Sequence, residues 1–290
     1  MEPHPVWRFL ATLDRRWLFG LTIFVVGIPL MTGIVLTQKP SPMVIDVFNA
    51  IDDLPEGSSV LLPLDFDPSA EGELQPMAEA FTRHCAEKKH KLYYLTIWPQ
   101  GVGMIQRQIS ILSKEYPDYK NGVDYVNLGY RPGYEVVINT IVNDFPGLYD
   151  ADQNGNPVST IPMMKGIKNI RGFPLIVNVS AGDPGLKQWI QYAATPFDTI
   201  EIVGGTTGVQ ASTLYPYIPR QMIGMLAGIK PAAEYEELLF NKYPEIAEKP
   251  KTNTASVFMT AQEAAHFMLI GIIILGNLVM WQTDRKGASE

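Results

Sequence analysis

The chain has 290 residues, with 30 acidic against 23 basic, and is 46% hydrophobic and 18% charged. This apolar content is sufficient for a folded core and excludes wholesale disorder, and the single cysteine excludes a disulfide framework and a cysteine-cluster metal site. The net charge of −7 argues against a nucleic-acid partner, and no recognisable motif implies a cofactor.

A charge-free segment follows a short N-terminal stretch, residues 1–16. We predict a transmembrane helix over residues 17–38, because its apolar run from Trp17 to Leu36 would measure about 30 Å as a helix, the thickness of a bilayer's hydrocarbon core. The alternatives are a buried core helix and a cleaved signal peptide. The run is longer than the usual apolar region of a signal peptide, about 7–15 residues, and no small-residue cleavage site follows it.

An α/β domain is predicted over residues 39–256, where apolar runs alternate with amphipathic helical patterns. The predicted strands are residues 58–66, 91–98, 124–130, 174–182 and 199–205. The predicted helices are residues 44–51, 71–89, 102–116, 134–145 and 185–193, with further helices up to about residue 243. This alternation predicts a Rossmann-like or flavodoxin-like, mostly parallel sheet with helices on both faces. Pro63 inside the first run predicts an edge position or a bulge.

A second transmembrane helix is predicted over residues 264–283, followed by a tail, residues 284–290. A buried core helix is again the alternative, because this segment contains polar residues. Basic residues outside the two spans outnumber those on the inner flanks, which predicts cytoplasmic termini, an extracytoplasmic domain and a cell-membrane location. The outer residues are Arg8, Arg15, Arg16, Arg285 and Lys286, and the inner ones are Lys39, Lys249 and Lys251.

Polar residues follow the predicted strands, where parallel α/β sheets bind their ligands. The ligand-binding candidates are Asp65, Asp67, Ser180, Asp183, Thr206 and Thr207. The first two carboxylates could hold a divalent cation or act as acid and base, although Asp67 or Ser69 could instead cap the next helix.

Ser180 lacks both a nucleophile-elbow motif and an evident base, and a helix cap at Asp183 explains the residues after it. The glycine-rich turn at residues 204–208 could cradle a phosphate or a carboxylate, but it matches neither dinucleotide-binding nor P-loop motifs. Close packing of the turn is the alternative.

Asp150, Asp152 and Asn154 match the first half of a calcium-binding loop, and they are our candidate metal ligands. The twelfth position is Ile161, where such loops require a glutamate, so a polar surface turn is the alternative.

Two glycines, Gly224 and Gly228, have a spacing that lets another helix approach closely, and Asn277 could form a hydrogen bond inside the second span. These three residues are candidates for packing or oligomer contacts.

Four segments together resemble a family of prokaryotic membrane proteins that have no assigned activity: DFDPSAEGELQPMAEA, DYVNLGYRPG, SAGDPGLKQWIQY and GMLAGIKPAAEYE. The resemblance covers most of the chain and implies the same layout, an α/β domain between two membrane spans.

The absence of a competent catalytic set and the two predicted anchors favour a non-enzymatic scaffold or assembly subunit of a membrane complex. Its expected partners are the lipid bilayer and homo- or hetero-oligomeric membrane proteins. The alternatives are a membrane-anchored ligand-binding or sensing domain and a metal-dependent hydrolase built on Asp65 and Asp67.

Overall fold

The computed structural model describes residues 5–197, 199–249 and 252–284. The chain divides into two compact units: residues 38–255, and the terminal segments up to Thr37 and from Ser256 onward. The predicted domain, residues 39–256, and the first unit differ by one residue at each end.

Six parallel strands form one sheet in the first unit. They are β1 (Ser59–Asp65), β2 (Lys91–Thr96), β3 (Tyr125–Tyr130), β4 (Leu175–Ser180), β5 (Glu201–Thr206) and β6 (Gly224–Ala227). The spatial order is β3-β2-β1-β4-β5-β6. This is the order of a doubly wound Rossmann-like sheet, so the predicted fold class is confirmed, and the order reverses between β1 and β4. We call the end where the strands finish the carboxyl edge and the opposite end the amino edge.

The described helices belong either to the unit that contains the sheet or to the terminal segments. They are α1 (Pro5–Ala11), α2 (Arg15–Thr32), α3 (Pro42–Asp52), α4 (Glu71–Glu87), α5 (Gly101–Glu115), α6 (Glu135–Asn143), α7 (Leu186–Gln188, continued by a π-helix over Trp189–Ala194), α8 (Ala211–Leu214), α9 (Ile229–Lys242), α10 (Pro244–Ala247) and α11 (Thr254–Asp284). The apolar residues of α4 recur at helical spacing and are fully buried near β4, β5 and the neighbouring helices: Leu74, Met77, Ala78, Phe81 and Cys85.

The sixth strand corrects the sequence prediction, which assigned only helices after β5. A run of four buried residues is too short for its periodicity to distinguish a strand from a helix. Gly224 lies in this strand, and a Cβ there would come within 3.0 Å of side-chain atoms of Met43 and Val47 on α3. The helix that approaches Gly224 therefore belongs to the same domain. Gly228 follows the strand with a φ of 82°, which glycine adopts without strain.

The predicted edge position of Pro63 is wrong, because β1 lies at the centre of the sheet between β2 and β4. The pairing of β1 with β4 covers Val60, Leu61, Leu64 and Asp65 but skips the proline and the residue before it. Proline has no N–H to contribute, so the ladder is interrupted locally instead of at a sheet edge.

A long segment between α6 and β4 has no helical or strand periodicity and contains short 3-10 turns. It also covers the outer edge of β3, where the Gln153 N–H donates to the Asn127 carbonyl at 2.8 Å. The Met163 N–H donates to the Gly122 carbonyl at 3.1 Å just before the strand. These bonds occupy backbone groups that an open edge strand would expose.

Two helices in the terminal segments are long and apolar enough to cross a membrane, α2 and α11. The first ends earlier than predicted, at Thr32, because Gly33 adopts a φ of 68° and its N–H caps the helix through the Pro29 carbonyl. The prediction of helix up to residue 38 is therefore wrong for the last residues. The second helix has 31 residues and contains the whole predicted span.

Candidate functional site

Three of the ligand-binding candidates lie side by side at the carboxyl edge. Asp65 is the register partner of Ser180 across β1 and β4, and Ser180 is the partner of Thr206 across β4 and β5. Asp67, Asp183 and Thr207 lie in the loops that follow these strands. The sequence therefore predicted which residues lie at the carboxyl edge. Their side-chain contacts determine whether that edge can bind a ligand.

Asp65 is fully buried where the strand order reverses, and hydrogen-bond donors surround its carboxylate. One oxygen accepts from the Ile97 N–H at 2.9 Å and lies 3.4 Å from the Thr96 hydroxyl. The other accepts from the Asn178 amide at 2.9 Å and the Trp189 indole N–H at 2.8 Å. Both oxygens are thus committed to groups of β2, β4 and α7.

Burial raises the pKa of Asp65 to about 6, although all four surrounding donors lower it. Desolvation exceeds the effect of the donors because no cationic side chain pairs with this carboxylate among the described residues. A carboxyl with this pKa changes charge in mildly acidic solution.

Trp98 bridges the loops that follow the two neighbours of β1, β2 and β4. Its indole N–H donates to the Pro184 carbonyl at 2.8 Å, and its ring lies 2.8 Å from the position that a Cβ on Gly182 would occupy. The side chain therefore reaches from the loop after β2 to the loop after β4. In Rossmann-like sheets this is the crevice that receives the ligand, and here the Trp98 indole lies across it.

Ser180 and Asp183 form hydrogen bonds within the turn between β4 and α7. The buried Ser180 hydroxyl accepts from the Leu186 N–H at 2.7 Å, so its oxygen is engaged at the start of the helix. Asp183 accepts from the Gln188 amide at 2.6 Å, and the same glutamine accepts from the Gly185 N–H at 2.8 Å. No histidine lies among these contacts, which form a helix-capping network instead of a nucleophile with its base.

The glycine-rich turn after β5 holds a carboxylate of the protein itself. The Gly208 N–H donates to Glu73 at 3.0 Å, and a Cβ on Gly228 would lie 3.3 Å from the same glutamate oxygen. Thr206 is buried and donates to Gln210 at 3.2 Å, while the carbonyl of Thr207 accepts from the N–H of that glutamine. A Cβ on Gly204 or Gly205 would come within 3.0 Å of neighbouring atoms, so close packing accounts for these two glycines, and the Glu73 carboxylate occupies the Gly208 N–H.

Asp67 caps the 3-10 turn after β1, as its capping alternative predicted. Its carboxylate accepts from the Ser69 N–H at 2.8 Å and from the Ser69 hydroxyl at 2.5 Å. These bonds lower the pKa of Asp67, whereas that of Asp65 is raised. The carboxylates of Asp65 and Asp67 accept hydrogen bonds from different groups of the protein. This arrangement does not favour the metal-dependent hydrolase that the sequence offered as an alternative.

The partial calcium-loop motif forms a compact polar turn. Asp152 accepts from the backbone N–H groups of Asn154 and Asn156, at 2.9 and 2.8 Å, and from the Asn156 side chain at 3.0 Å. Asp150 is exposed. Within residues 5–197, 199–249 and 252–284, no group of three or more His, Cys, Asp or Glu side chains is placed to hold a metal ion. The polar-turn alternative describes the geometry.

A buried cluster between α3, α4 and α9 escaped the sequence analysis. His84 lies 3.3 Å from Asp52 through Nε2 and 2.5 Å from the Tyr235 hydroxyl through Nδ1. Asp52 also accepts from the Tyr243 hydroxyl at 2.7 Å and pairs with Lys242. Its carboxylate is an acceptor only, so Nε2 carries the imidazole proton and Nδ1 accepts from the tyrosine.

Burial lowers the pKa of His84 to about 4, against the opposing effect of Asp52. The His84 hydrogen bond, with those of Lys242 and Tyr243, holds the pKa of Asp52 well below its usual range. The imidazole is therefore neutral at pH 7 beside an ionised carboxylate. No sequence motif relates these residues, because they come from helices far apart along the chain.

A cleft of about 290 Å³ lies between the loops after β4 and β5. Its lining includes Asp183, Lys187, Gln188, Val209 and Gln210. The volume is close to the lower end of the range for small-molecule sites, about 300 Å³. Neighbouring acidic and basic side chains give this cleft groups that could bind a small zwitterion.

Asn277, the remaining candidate, is exposed on α11.

No protein-family model matches the chain, and no curated protein matches it. Among solved structures, the N-terminal domain of trehalose-6-phosphate phosphatase from Candida albicans is similar, with 12% sequence identity and a TM-score of 0.35. That match covers 83% of this chain and 49% of the other, so this chain spans about half the length of its match. At this TM-score the likeness supports no statement about activity.

Proposed function

We propose that this chain is a non-enzymatic, two-pass membrane protein whose α/β domain is a scaffold or assembly subunit of a membrane complex. The observation that carries the proposal is the internal use of the carboxyl edge. Asp65, Ser180 and Glu73 each accept hydrogen bonds from nearby backbone or side-chain groups, and the Trp98 indole lies across the crevice. Polar groups that would otherwise bind a substrate hold the domain together instead.

The membrane part of the proposal is supported by α2 and α11, which are both long and apolar enough to span a bilayer. Trp17 and Phe24 on α2 are each 72% exposed, and Phe267 on α11 is 71% exposed. Side chains of this kind lose their contact with water when they enter lipid. The excess of basic residues outside the spans supports cytoplasmic termini. The resemblance to prokaryotic membrane proteins agrees with this placement.

The first test is a native-mass measurement of the full chain after mild solubilisation. We expect an assembly heavier than one chain, with defined partners in constant proportion. Asn277→Leu removes the polar group exposed on α11 and should reduce the assembled fraction if helix contacts contribute to it. Met280→Leu, at another exposed position of that helix, is the matched control. A lone monomer without partners would contradict the proposal.

A second candidate function is ligand sensing, favoured by the cleft between the loops after β4 and β5. Its neighbouring Asp183 and Lys187 fit a small zwitterion such as a free amino acid. Thermal unfolding of the full chain with a panel of amino acids should show a concentration-dependent rise in midpoint for at least one. Lys187→Ala should abolish the rise, and Lys114→Ala on α5 should retain it. An unchanged midpoint across the panel at millimolar concentration would remove this candidate.

A further inference from the structure

A short helix with an exposed apolar face precedes the first candidate span. This helix, α1, has seven residues. Val6 and Phe9 lie one turn apart on the same face and are 52% and 64% exposed, and the half-buried Leu10 lies beside them at helical spacing. A helix of this length is not stable in water by itself. A surface that covered its apolar face would therefore stabilise it.

The connection between α1 and α2 is short and contains a break. Only residues 12–14 separate the two helices. The Thr12 N–H donates to the Phe9 carbonyl at 3.2 Å where α1 ends. Asp14 is extended, with φ −64° and ψ 134°, and its carboxylate accepts from the Arg16 N–H at 2.9 Å where α2 begins. The break lets α1 leave the axis of α2, while a three-residue connection reaches at most about 10 Å.

Cationic and aromatic side chains begin α2. Arg15 and Arg16 are exposed, and Trp17 is 72% exposed. The carboxylate of Asp14 lies next to them in sequence and caps the helix. Tryptophan beside arginine at the end of an apolar span is typical of a membrane interface. Anionic lipid headgroups attract basic side chains at this position.

The short connection to α2 identifies the partner of α1. Exposed apolar side chains alone do not, because Val209 in the α/β domain is 88% exposed and lies in a loop after β5. The apolar face of α1 is instead held close to the end of a helix that is long and apolar enough to cross a membrane. A lipid interface offers an apolar layer for Val6 and Phe9 and negative charge for the arginines.

We propose that α1 lies on the surface of the bilayer that α2 enters, and that this surface is anionic. Val6 and Phe9 insert between the lipid headgroups, while Arg15 and Arg16 contact the negatively charged ones. The inference rests on the proposed function in one respect, because it requires α2 to span a membrane. It adds a second membrane contact and the charge of the lipid, neither of which follows from a span alone.

Quenching by brominated lipid in the full chain provides the first test. The native cysteine, Cys85, is buried, so a fluorophore can be attached at Phe9→Cys, Ala11→Cys or Phe24→Cys in separate samples. In phosphatidylcholine vesicles that contain phosphatidylglycerol, bromine on the upper acyl chain should quench the Phe9 label at least about twofold more than the Ala11 label. Ala11 is the matched control, because it lies about 160° around the helix from Phe9. The Phe24 label reports the insertion of α2.

Removing the two arginines tests the charge of the lipid. With the Phe9 label in place, Arg15→Gln with Arg16→Gln should lower the ratio of lipid-bound to unbound α1 at least about 10-fold in vesicles with phosphatidylglycerol. Raising the salt concentration should weaken binding of the wild-type chain in the same vesicles, because screening shortens the range of these charges. The matched control, Lys114→Gln with Lys187→Gln, removes two exposed cations of the α/β domain and should leave the ratio unchanged.

The outcomes separate this inference from the proposed function. A quenched Phe24 label with an unquenched Phe9 label would overturn the surface helix and leave the two-pass protein standing. An unquenched Phe24 label would contradict the span on which both proposals rest. Equal quenching at Phe9 and Ala11 would overturn the orientation of α1. Quenching that is independent of phosphatidylglycerol and of the two arginines would overturn the anionic partner.

A protein partner for α1 would give a different signal. A Phe9 label with blue-shifted emission that no brominated lipid quenches would show that protein covers the apolar face, which would overturn the inference.

Discussion

Two buried groups should give the domain opposite responses to acid. Asp65 binds a proton more readily in the folded state, because its pKa is raised from 3.8 to about 6. His84 binds a proton less readily when folded, because its pKa is lowered from 6.5 to about 4. When the pH falls below 6, Asp65 therefore adds stability and His84 removes it.

The magnitudes follow from proton linkage. Between pH 7.5 and pH 5, the shift of Asp65 raises the free energy of unfolding by about 1.4 kcal/mol. Over the same interval, the shift of His84 lowers it by about 2 kcal/mol. The two contributions nearly cancel in the wild type, so each becomes visible only when the other is removed.

The perturbations are Asp65→Asn and His84→Gln in the full chain, with urea unfolding followed by tryptophan fluorescence in a mild detergent at both pH values. On acidification, Asp65→Asn should lose about 1.4 kcal/mol relative to the wild type, and His84→Gln should gain about 2 kcal/mol. His90, whose pKa burial also lowers, contributes equally to all three proteins.

The comparison uses differences between proteins, so a lower absolute stability of either variant does not affect it. If all three proteins respond to acid in parallel, the burial of these two groups does not control their protonation, and the reasoning is refuted.

Three further substitutions test the packing and the hydrogen bonds. Gly204→Ala would place a Cβ 2.4 Å from a carbonyl oxygen of β4 and should lower the free energy of unfolding by about 3 kcal/mol in the same urea titration. Gly271→Ala on α11, where the added Cβ meets open space, is the control and should change the free energy of unfolding by less than about 0.5 kcal/mol. Glu234→Gln weakens two hydrogen bonds from Ser41, at 2.9 and 2.7 Å, and should cost about 1–2 kcal/mol at pH 7.5; no loss would show that this buried carboxylate does not hold the start of α3. Tyr243→Phe removes one donor from the carboxylate beside His84 and should lower the thermal midpoint by a few degrees, and an unchanged midpoint would mean that water replaces the hydroxyl without cost.

The sequence predicted much of the fold because local patterns determine it. The periodicity in α4 and the alternation of strands with helices follow from which side chains must leave water, and both are confirmed. The predictions were wrong where tertiary contacts outweigh a local pattern. Pro63 is accommodated in a central strand by an interrupted ladder, and Gly33 ends α2 before the apolar run is complete.

The candidate site shows the same difference between what local patterns predict and what tertiary contacts determine. The order of strands and helices was sufficient to place Asp65, Ser180 and Thr206 at one edge, because parallel strands finish together. It could not show what their side chains bind, since the partners come from other segments: Trp189 for Asp65 and Gln210 for Thr206. Hydrogen-bond satisfaction depends on atoms brought together by folding.

The amino-acid sequence alone determined the α/β class, the positions of most helices and strands, and the two long apolar segments, because burial and periodicity are local properties of the chain. Only the tertiary structure decided that the Trp98 indole lies across the ligand crevice and that histidine and aspartate meet beneath α9. Each of these depends on distances between residues far apart in sequence, and such distances are fixed only when the strands and helices pack.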